Sequence, residues 1–297
     1  KVTDEYRLIN LEMVDCSTER SLTCAIAACG LGHVHAIFSV SLKNSVDMVC
    51  LAACEASLPF DFFVRVLGKG HVNRETTMLF PLLEGQQHKK LLVRALLLNC
   101  LTKAYAPLWQ QIWQADFATD SWSKVDPRLD NERFSSLTNC WHWSTPLRTD
   151  YERRQALVEI DVLTAMALGM TLEQLITIYR IQFPISQSYE ADTWYDARGR
   201  IVFTNNKSLV NVGFSRPEWE KKGTVEPILR GSEPWNGIMK EAPQGYVFAR
   251  TFTDDTLPNG PIERTVEYYA PFSRCDREED YQTAWNFFKK KLKSQTK

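Results

Sequence analysis

Basic and amide side chains are concentrated in one short segment of the chain, residues 65–74. Its hydrogen-bond donors are Arg65, Lys69, His71, Asn73 and Arg74. Gly68 and Gly70 flank the lysine, and glycine lets a backbone approach a phosphate closely. In the major groove, arginine matches O6 and N7 of guanine, and asparagine matches N6 and N7 of adenine. The segment therefore predicts contact with double-stranded DNA; the alternative is a basic surface turn.

Two residue pairs have the spacing of metal ligands. On a strand, His33 and His35 would lie on the same face, but no third ligand follows at ligand spacing. Cys50 and Cys54, four residues apart, fit the core side of a helix better than a metal site. The eight cysteines lack paired C-x-x-C spacing, which favours reduced thiols over a zinc site or disulfides.

Catalytic patterns are absent from the sequence. Glu159 and Asp161 lie in a predicted helix, where side chains two residues apart point about 200° apart and cannot share one substrate. No G-x-S-x-G nucleophile motif occurs. We therefore expect no catalysis by this chain alone.

Two blocks in the first third of the chain carry a family resemblance. Residues 58–74, followed by 78–83, resemble the target-recognition domain of single-chain type IIG restriction-modification enzymes and related phage-defence DNA methyltransferases. That family orders an apolar helix, an aromatic Asp-Phe-Phe step, a glycine-flanked basic loop and a short strand closed at a proline. Residues 18–28, led by Arg20, resemble the segment that enters a core strand of the same domain. The resemblance implies that Arg20 and the donors of segment 65–74 contact DNA.

The resemblance also implies a larger parent protein. In the family, a methyltransferase portion uses S-adenosylmethionine to methylate adenine at N6, while the recognition region selects the target sequence. This chain lacks the glycine-rich loop that holds the cofactor and the Asn-Pro-Pro-aromatic motif that holds a flipped base. We therefore expect a C-terminal recognition region with no cofactor of its own, partnered by the methyltransferase portion of its parent.

Periodicity and turn signals predict an α+β protein. A mixed α/β recognition domain over 1–86 precedes a helical segment and a β-hairpin-rich portion over 87–297. Thr149 and Thr171 have the capping-box spacing of helix starts. The predicted strands cover 5–14, 21–28, 33–41 and 78–83, with hairpins over 192–204 and 246–269. The predicted helices cover 45–58, 87–113, 151–168, 172–181 and 276–293, with loops over 115–146 and 211–244.

Overall charge argues against a nucleic-acid role. The formal net charge is -1 and the pI is near 6.6, whereas a small DNA-binding domain is normally basic. If another portion of the parent protein contacts the DNA phosphates, the recognition region does not need a net positive charge of its own. The lysines at 289–291 and 293 fit a solvated helix end better than a phosphate site.

A second function remains open, a protein-interaction scaffold that docks partner subunits of a phage-defence complex. Its contact surfaces would be the tryptophan-rich 115–146 loop and the 205–245 loop. No apolar run approaches the roughly 20 residues of a membrane span, and we expect no signal peptide. We therefore expect a cytoplasmic protein without a membrane partner.

Overall fold

The computed structural model describes residues 1–206, 209, 211–214 and 242–295, which form an α+β fold with small antiparallel sheets. The helices are α1 (Ser45–Glu55), α2 (Leu58–Leu67), α3 (Arg74–Thr77), α4 (His88–Asn99), α5 (Ala106–Ile112), α6 (Asp150–Ala167), α7 (Leu172–Gln182), α8 (Pro184–Asp192) and α9 (Arg277–Gln295). The strands are β1 (Arg7–Leu11), β2 (Cys24–Ala27), β3 (Ile37–Val40), β4 (Trp194–Tyr195), β5 (Ile201–Phe203), β6 (Val247–Asp254) and β7 (Ile262–Tyr269). The predicted α+β class is confirmed.

The N-terminal sheet has β1 at its centre, antiparallel to β2 and β3. Leu8 pairs with Ile26 on one side and with Val40 on the other. Leu8 and Ile26 are buried in the main core. Two side chains cover the outer edge of β2: the Ile26 amide donates to Asn99 Oδ1 (3.0 Å), and Tyr105 Oη donates to the Ile26 carbonyl (2.7 Å).

Three prolines lie in the first turns of helices that the sequence analysis did not predict as separate elements. The helix predicted over 45–58 ends at Glu55, and α2 starts anew with Pro59 in its first turn. The helix predicted over 87–113 ends at Asn99, and Pro107 lies in the first turn of a separate helix, α5. Pro184 begins α8, which was not predicted. Proline suits the first turn because the amide it lacks would have no intrahelical acceptor there.

The strand predicted over 78–83 does not form. Phe80 and Leu83 face the core, whereas Met78, Leu79 and Leu82 are at least half exposed. Inward positions three residues apart do not give the alternation that a half-buried strand requires. The Asp-Phe-Phe step, expected after the apolar helix, is itself helical and lies inside α2. The three N-terminal strands form but are shorter than predicted.

The two predicted capped helices are confirmed. Thr149 Oγ1 accepts from the Glu152 amide (3.3 Å) at the start of α6. Thr171 Oγ1 accepts from the Gln174 amide (3.2 Å) at the start of α7, and Gln174 Oε1 accepts from the Thr171 amide (2.8 Å). These bonds satisfy amides that have no partner within the helix.

Both predicted hairpins are also present. In the β4–β5 turn, Asp196 Oδ1 accepts from the Arg198 and Arg200 amides, and Gly199 takes a positive φ of 77°. Strands β6 and β7 pair along their full length. The loop predicted over 211–244 lies largely outside the described residues.

One hydrophobic core crosses the boundary predicted at 86/87. Its fully buried members include Cys54 of α1, Leu96 of α4, Ile160 of α6 and Phe288 of α9. Helices α1 and α4 pack directly on each other although they lie on opposite sides of that boundary. The C-terminal hairpins have a smaller second core. The packing thus joins the proposed recognition segment to the helices that follow it.

Glu55, the last residue of α1, is fully buried beside the sheet. Burial raises its pKa from 4.5 to about 8, because a charged carboxylate is poorly solvated there. Between these two values the folded state keeps a proton that the unfolded state releases. Stability therefore falls as pH rises from about 4.5 to about 8.

Replacing Glu55 with the neutral, isosteric glutamine should remove this pH dependence. Since one pKa unit corresponds to about 1.4 kcal/mol, the free energy of unfolding of E55Q should exceed that of the wild type increasingly as pH rises. Urea unfolding at about pH 5, 6, 7 and 8 gives the free energy of unfolding of both proteins as a function of pH. Parallel curves for the two proteins would show that Glu55 does not titrate in this window.

Cleavage at the predicted boundary should leave the two parts associated, because α1 and α4 share one core. A protease site introduced at Gly85–Gln86, both exposed, provides a defined cut. The cut protein should co-elute on size exclusion as one species and separate in denaturant. A folded N-terminal fragment that elutes alone would instead establish residues 1–86 as an independent domain.

Candidate nucleic-acid interface

The glycine loop, residues 68–74, is fixed against the end of the N-terminal sheet. Gly68 ends α2 in the left-handed conformation (φ 62°), which glycine adopts without strain. The Val14 amide then donates to the Gly70 carbonyl (3.0 Å), and the Val72 amide donates to the Glu12 carbonyl (2.7 Å). The Val72 side chain is fully buried. The loop therefore has a defined position relative to β1.

Three of the predicted donors extend from this loop into solvent. The side chains of Lys69 and His71 are 39% and 61% exposed, and Arg74 is also exposed. Glu75 lies 3.8 Å from the Lys69 ammonium, and Glu12 lies 3.9 Å from His71 Nδ1. Exposed pairs at these distances contribute little, so a phosphate could replace the carboxylates as partner. The loop thus offers cationic groups in a locally mixed charge environment.

The other two histidines of this face lie in the loop before β3, not on a strand as predicted. His35 Nδ1 is 3.8 Å from the second oxygen of Glu12, so Glu12 lies between His35 and His71. His33 Nε2 forms a hydrogen bond with Ser39 Oγ (2.9 Å). Within the described residues, no group of three or more metal-ligating side chains is arranged to hold an ion. The sequence did not place His33 and His35 beside the glycine loop.

Arg65 points into the protein instead of toward the loop surface. Its side chain is 7% exposed; Nε donates to Asp61 Oδ1 (3.0 Å), and one terminal nitrogen donates to the Gln182 carbonyl (2.6 Å). The guanidinium group also lies over the ring of Phe183, 4.1 Å from its centroid. These contacts connect α2 to the end of α7 and withdraw Arg65 from the surface that a duplex could reach.

Arg20 is engaged near the same ring. Its guanidinium lies 5.7 Å from the Phe183 centroid and pairs with the buried Asp161 of α6 at 3.4 Å. Its side chain is 20% exposed. The positions of Arg20 and Arg65 therefore favour a structural role, in which two guanidinium groups hold the segments that support the loop.

Asn73 is the N-cap of α3. Its Oδ1 accepts from the Thr76 amide (3.0 Å) and from Thr76 Oγ1 (3.1 Å). A bidentate contact with adenine would need the same oxygen as its acceptor. Both lone pairs of that oxygen are already used, so the cap competes with base contact.

An apolar groove of about 370 Å³ lies beside the loop and was missed by the sequence analysis. It is formed by Pro59, Phe60, Phe62, Phe63, Val66, Leu79, Phe80, Pro81, Leu168, Met170 and Ile178, all apolar. Val66 and Leu79 are 65% and 51% exposed. The sequence did contain a signal for this groove. Segments 58–67 and 78–83 hold more large apolar residues than a single buried face would accommodate.

The tryptophans of the 115–146 loop mostly pack inward. Trp122 Nε1 donates to the Asp130 carbonyl (3.1 Å), and Trp141 Nε1 donates to the Cys100 carbonyl (2.8 Å). Trp143 is 69% exposed, with the Arg148 guanidinium over its ring. This loop therefore exposes one large aromatic surface.

Comparison of the chain with protein-family models, with curated proteins and with solved structures found no match in any of the three. Among the described residues, no helix combines the length and the apolar character needed to cross a membrane.

Replacing Asn73 with alanine should destabilise the protein by about 1 kcal/mol, the usual loss when a helix N-cap is removed. Asn73→Asp keeps a capping oxygen and should stay close to the wild type. Urea unfolding followed by circular dichroism compares the three proteins. Equal stability of the alanine and wild-type proteins would leave Asn73 available for another role.

Proposed function

We propose that this chain is the DNA target-recognition region of a larger S-adenosylmethionine-dependent adenine DNA methyltransferase or restriction-modification enzyme. Its partners are double-stranded DNA and the methyltransferase portion of the parent, which holds the cofactor; its location is cytoplasmic. The observation that supports the proposal is the glycine loop, which backbone hydrogen bonds fix to the segment just after β1 and which presents Lys69, His71 and Arg74 to solvent.

A fixed loop is favourable for recognition because little conformational entropy is lost when DNA binds. The position of a Cβ on Gly70 would meet no atom within 4 Å, so the backbone here is open to an approaching phosphate. Lys69 and Arg74 supply charge for phosphates, and His71 supplies a donor for a phosphate or a base edge. In this proposal, Arg20, Arg65 and Asn73 do not contact DNA but stabilise the position of the loop.

Local charge limits how tightly this surface can bind alone. Glu75 lies close to Lys69 and Glu12 lies close to His71, and the whole chain has a formal net charge of -1. Most of the phosphate contacts in this proposal therefore belong to the methyltransferase portion. The role of this chain is the choice of sequence, with modest affinity of its own.

The double variant K69A/R74A tests the proposal directly. If both residues contact phosphates, the slope of log affinity against log salt should become shallower by roughly 2, about 0.9 for each contact. Fluorescence anisotropy of a labelled duplex, titrated with the chain at several salt concentrations, measures both affinity and slope. The matched control is K43A/K103A, which removes two exposed lysines outside the loop.

The control separates local contact from a general change of charge. Loss of affinity and slope in K69A/R74A, with wild-type behaviour in K43A/K103A, supports the loop as the DNA surface. Equal losses in both variants would indicate non-specific attraction, and wild-type affinity in K69A/R74A would exclude the loop.

The apolar groove favours a second function, a scaffold that docks a partner subunit. A groove with an entirely apolar lining is suited to the apolar face of an amphipathic helix. In this alternative, Leu79→Asp would dissociate a partner subunit from the parent complex while duplex affinity stayed unchanged. Val125→Asp is the matched control, because Val125 is 91% exposed and lies outside the groove.

A further inference from the structure

A cavity of about 210 Å³ lies apart from the glycine loop, where the start of α4 meets the 115–121 segment and the last turns of α9. Three lysines from two of these elements line it: Lys89 and Lys90 of α4 and Lys291 of α9. Its remaining lining residues are Gln86, Val93, Asp116, Phe117, Thr119 and Asp120. Water occupies about 30 Å³ per molecule in the liquid, so the cavity has room for a small hydrated anion.

Asp120 is the centre of the charged groups at the cavity floor. Its Oδ1 lies 3.0 Å from both the Lys90 and the Lys291 ammonium, and its Oδ2 lies 2.6 Å from an Arg94 nitrogen. Arg94 Nε also pairs with Glu159 (2.6 Å). The carboxylates of Asp120 and Glu159 are 4% and 0% exposed. The charges of Arg94 and Lys90 hold the pKa of Asp120 well below its usual range, although burial alone would raise it.

These groups carry an excess of positive charge. Three cations, Arg94, Lys90 and Lys291, share two carboxylates, Asp120 and Glu159. Lys89 and Asp116 form a further pair and leave the balance unchanged. Burial and the neighbouring Arg94 and Lys291 charges lower the pKa of Lys90, whereas Asp120 beside it acts in the opposite direction. A bound anion would supply the missing negative charge.

The lysines also retain hydrogen-bonding capacity. Each ammonium has three N–H donors. Within the residues that the structure describes, Lys89 donates to Asp116, Lys90 donates to Asp120, and Lys291 donates to Asp120 and Ser121. All three therefore have at least one further N–H for a ligand in the cavity that they line. A phosphate offers at least three acceptor oxygens, one for each lysine, whereas a carboxylate offers two.

We propose that this cavity binds a phosphate group, held by Lys89, Lys90 and Lys291. The sequence favoured a solvated helix end for the 289–293 lysines; Lys289, Lys290 and Lys293 are exposed, while Lys291 faces the cavity. The phosphate is either a free anion or part of a DNA backbone that extends past the loop. The site does not depend on the function proposed for the glycine loop.

Calorimetric titration with inorganic phosphate, at ionic strength held constant with chloride, tests the site on the whole chain. Lys291→Gln and Lys89→Gln should each weaken phosphate binding at least tenfold, the loss expected for one charge-assisted hydrogen bond of about 1.5 kcal/mol or more. Lys290→Gln is the matched control, since its neighbouring, exposed side chain lies outside the cavity lining. Lys89 is 56% exposed, so K89Q keeps the test valid if K291Q folds poorly.

The source of the phosphate follows from a second titration, with duplex DNA. Weaker duplex binding and a reduced salt slope in K291Q and K89Q assign the site to a DNA phosphate. Unchanged duplex binding, with phosphate binding lost, assigns it to a free phosphate anion. The proposal is overturned if the wild-type chain binds no phosphate, or if K290Q loses as much affinity as K291Q.

Discussion

The buried carboxylate of Asp161 connects three parts of the chain that lie far apart in sequence. It accepts hydrogen bonds from the Leu58 amide at the start of α2 (2.6 Å), from Tyr281 Oη of α9 (2.6 Å) and from Arg277 (3.2 Å). Arg20 pairs with it from the N-terminal segment. Removing a partner from such a buried group typically costs about 3–5 kcal/mol, because the remaining charges stay buried without compensation. This one side chain therefore joins both α2 and α9 to α6.

The same constraint extends to the surface loop. Asp61, in the first turn of α2, accepts from the Ser21 amide (3.0 Å) and from Arg65 Nε (3.0 Å), so α2 is held along its length. The glycine loop starts where α2 ends. The solvent-facing Lys69 therefore takes its position from an ion pair that is itself buried. Within one basic segment, the buried Arg65 therefore holds α2 in place, whereas Lys69 faces solvent.

The fold was predictable where the signal is local. Thr149 and Thr171 mark helix starts through bonds to residues three positions away, and Gly199 marks a turn within its own hairpin. The roles of Arg20 and Arg65 were not predictable. The partner of Arg20 lies 141 residues away, and an acceptor of Arg65 lies 117 residues away. The sequence does not show that Asp161 meets Arg20 inside the fold, nor that Gln182 and Phe183 cover the side of α2 that carries Arg65, so it predicted both arginines as surface donors.

The side chains at the outer edge of β2 have a consequence for self-association. An edge strand with unpaired amides and carbonyls is a template for another strand. Asn99 and Tyr105 occupy both backbone groups of Ile26, at a position where an incoming strand would need them. These two residues come from the end of α4 and the segment after it. The helical part of the chain thus blocks edge-to-edge pairing of β2 with another strand at this position.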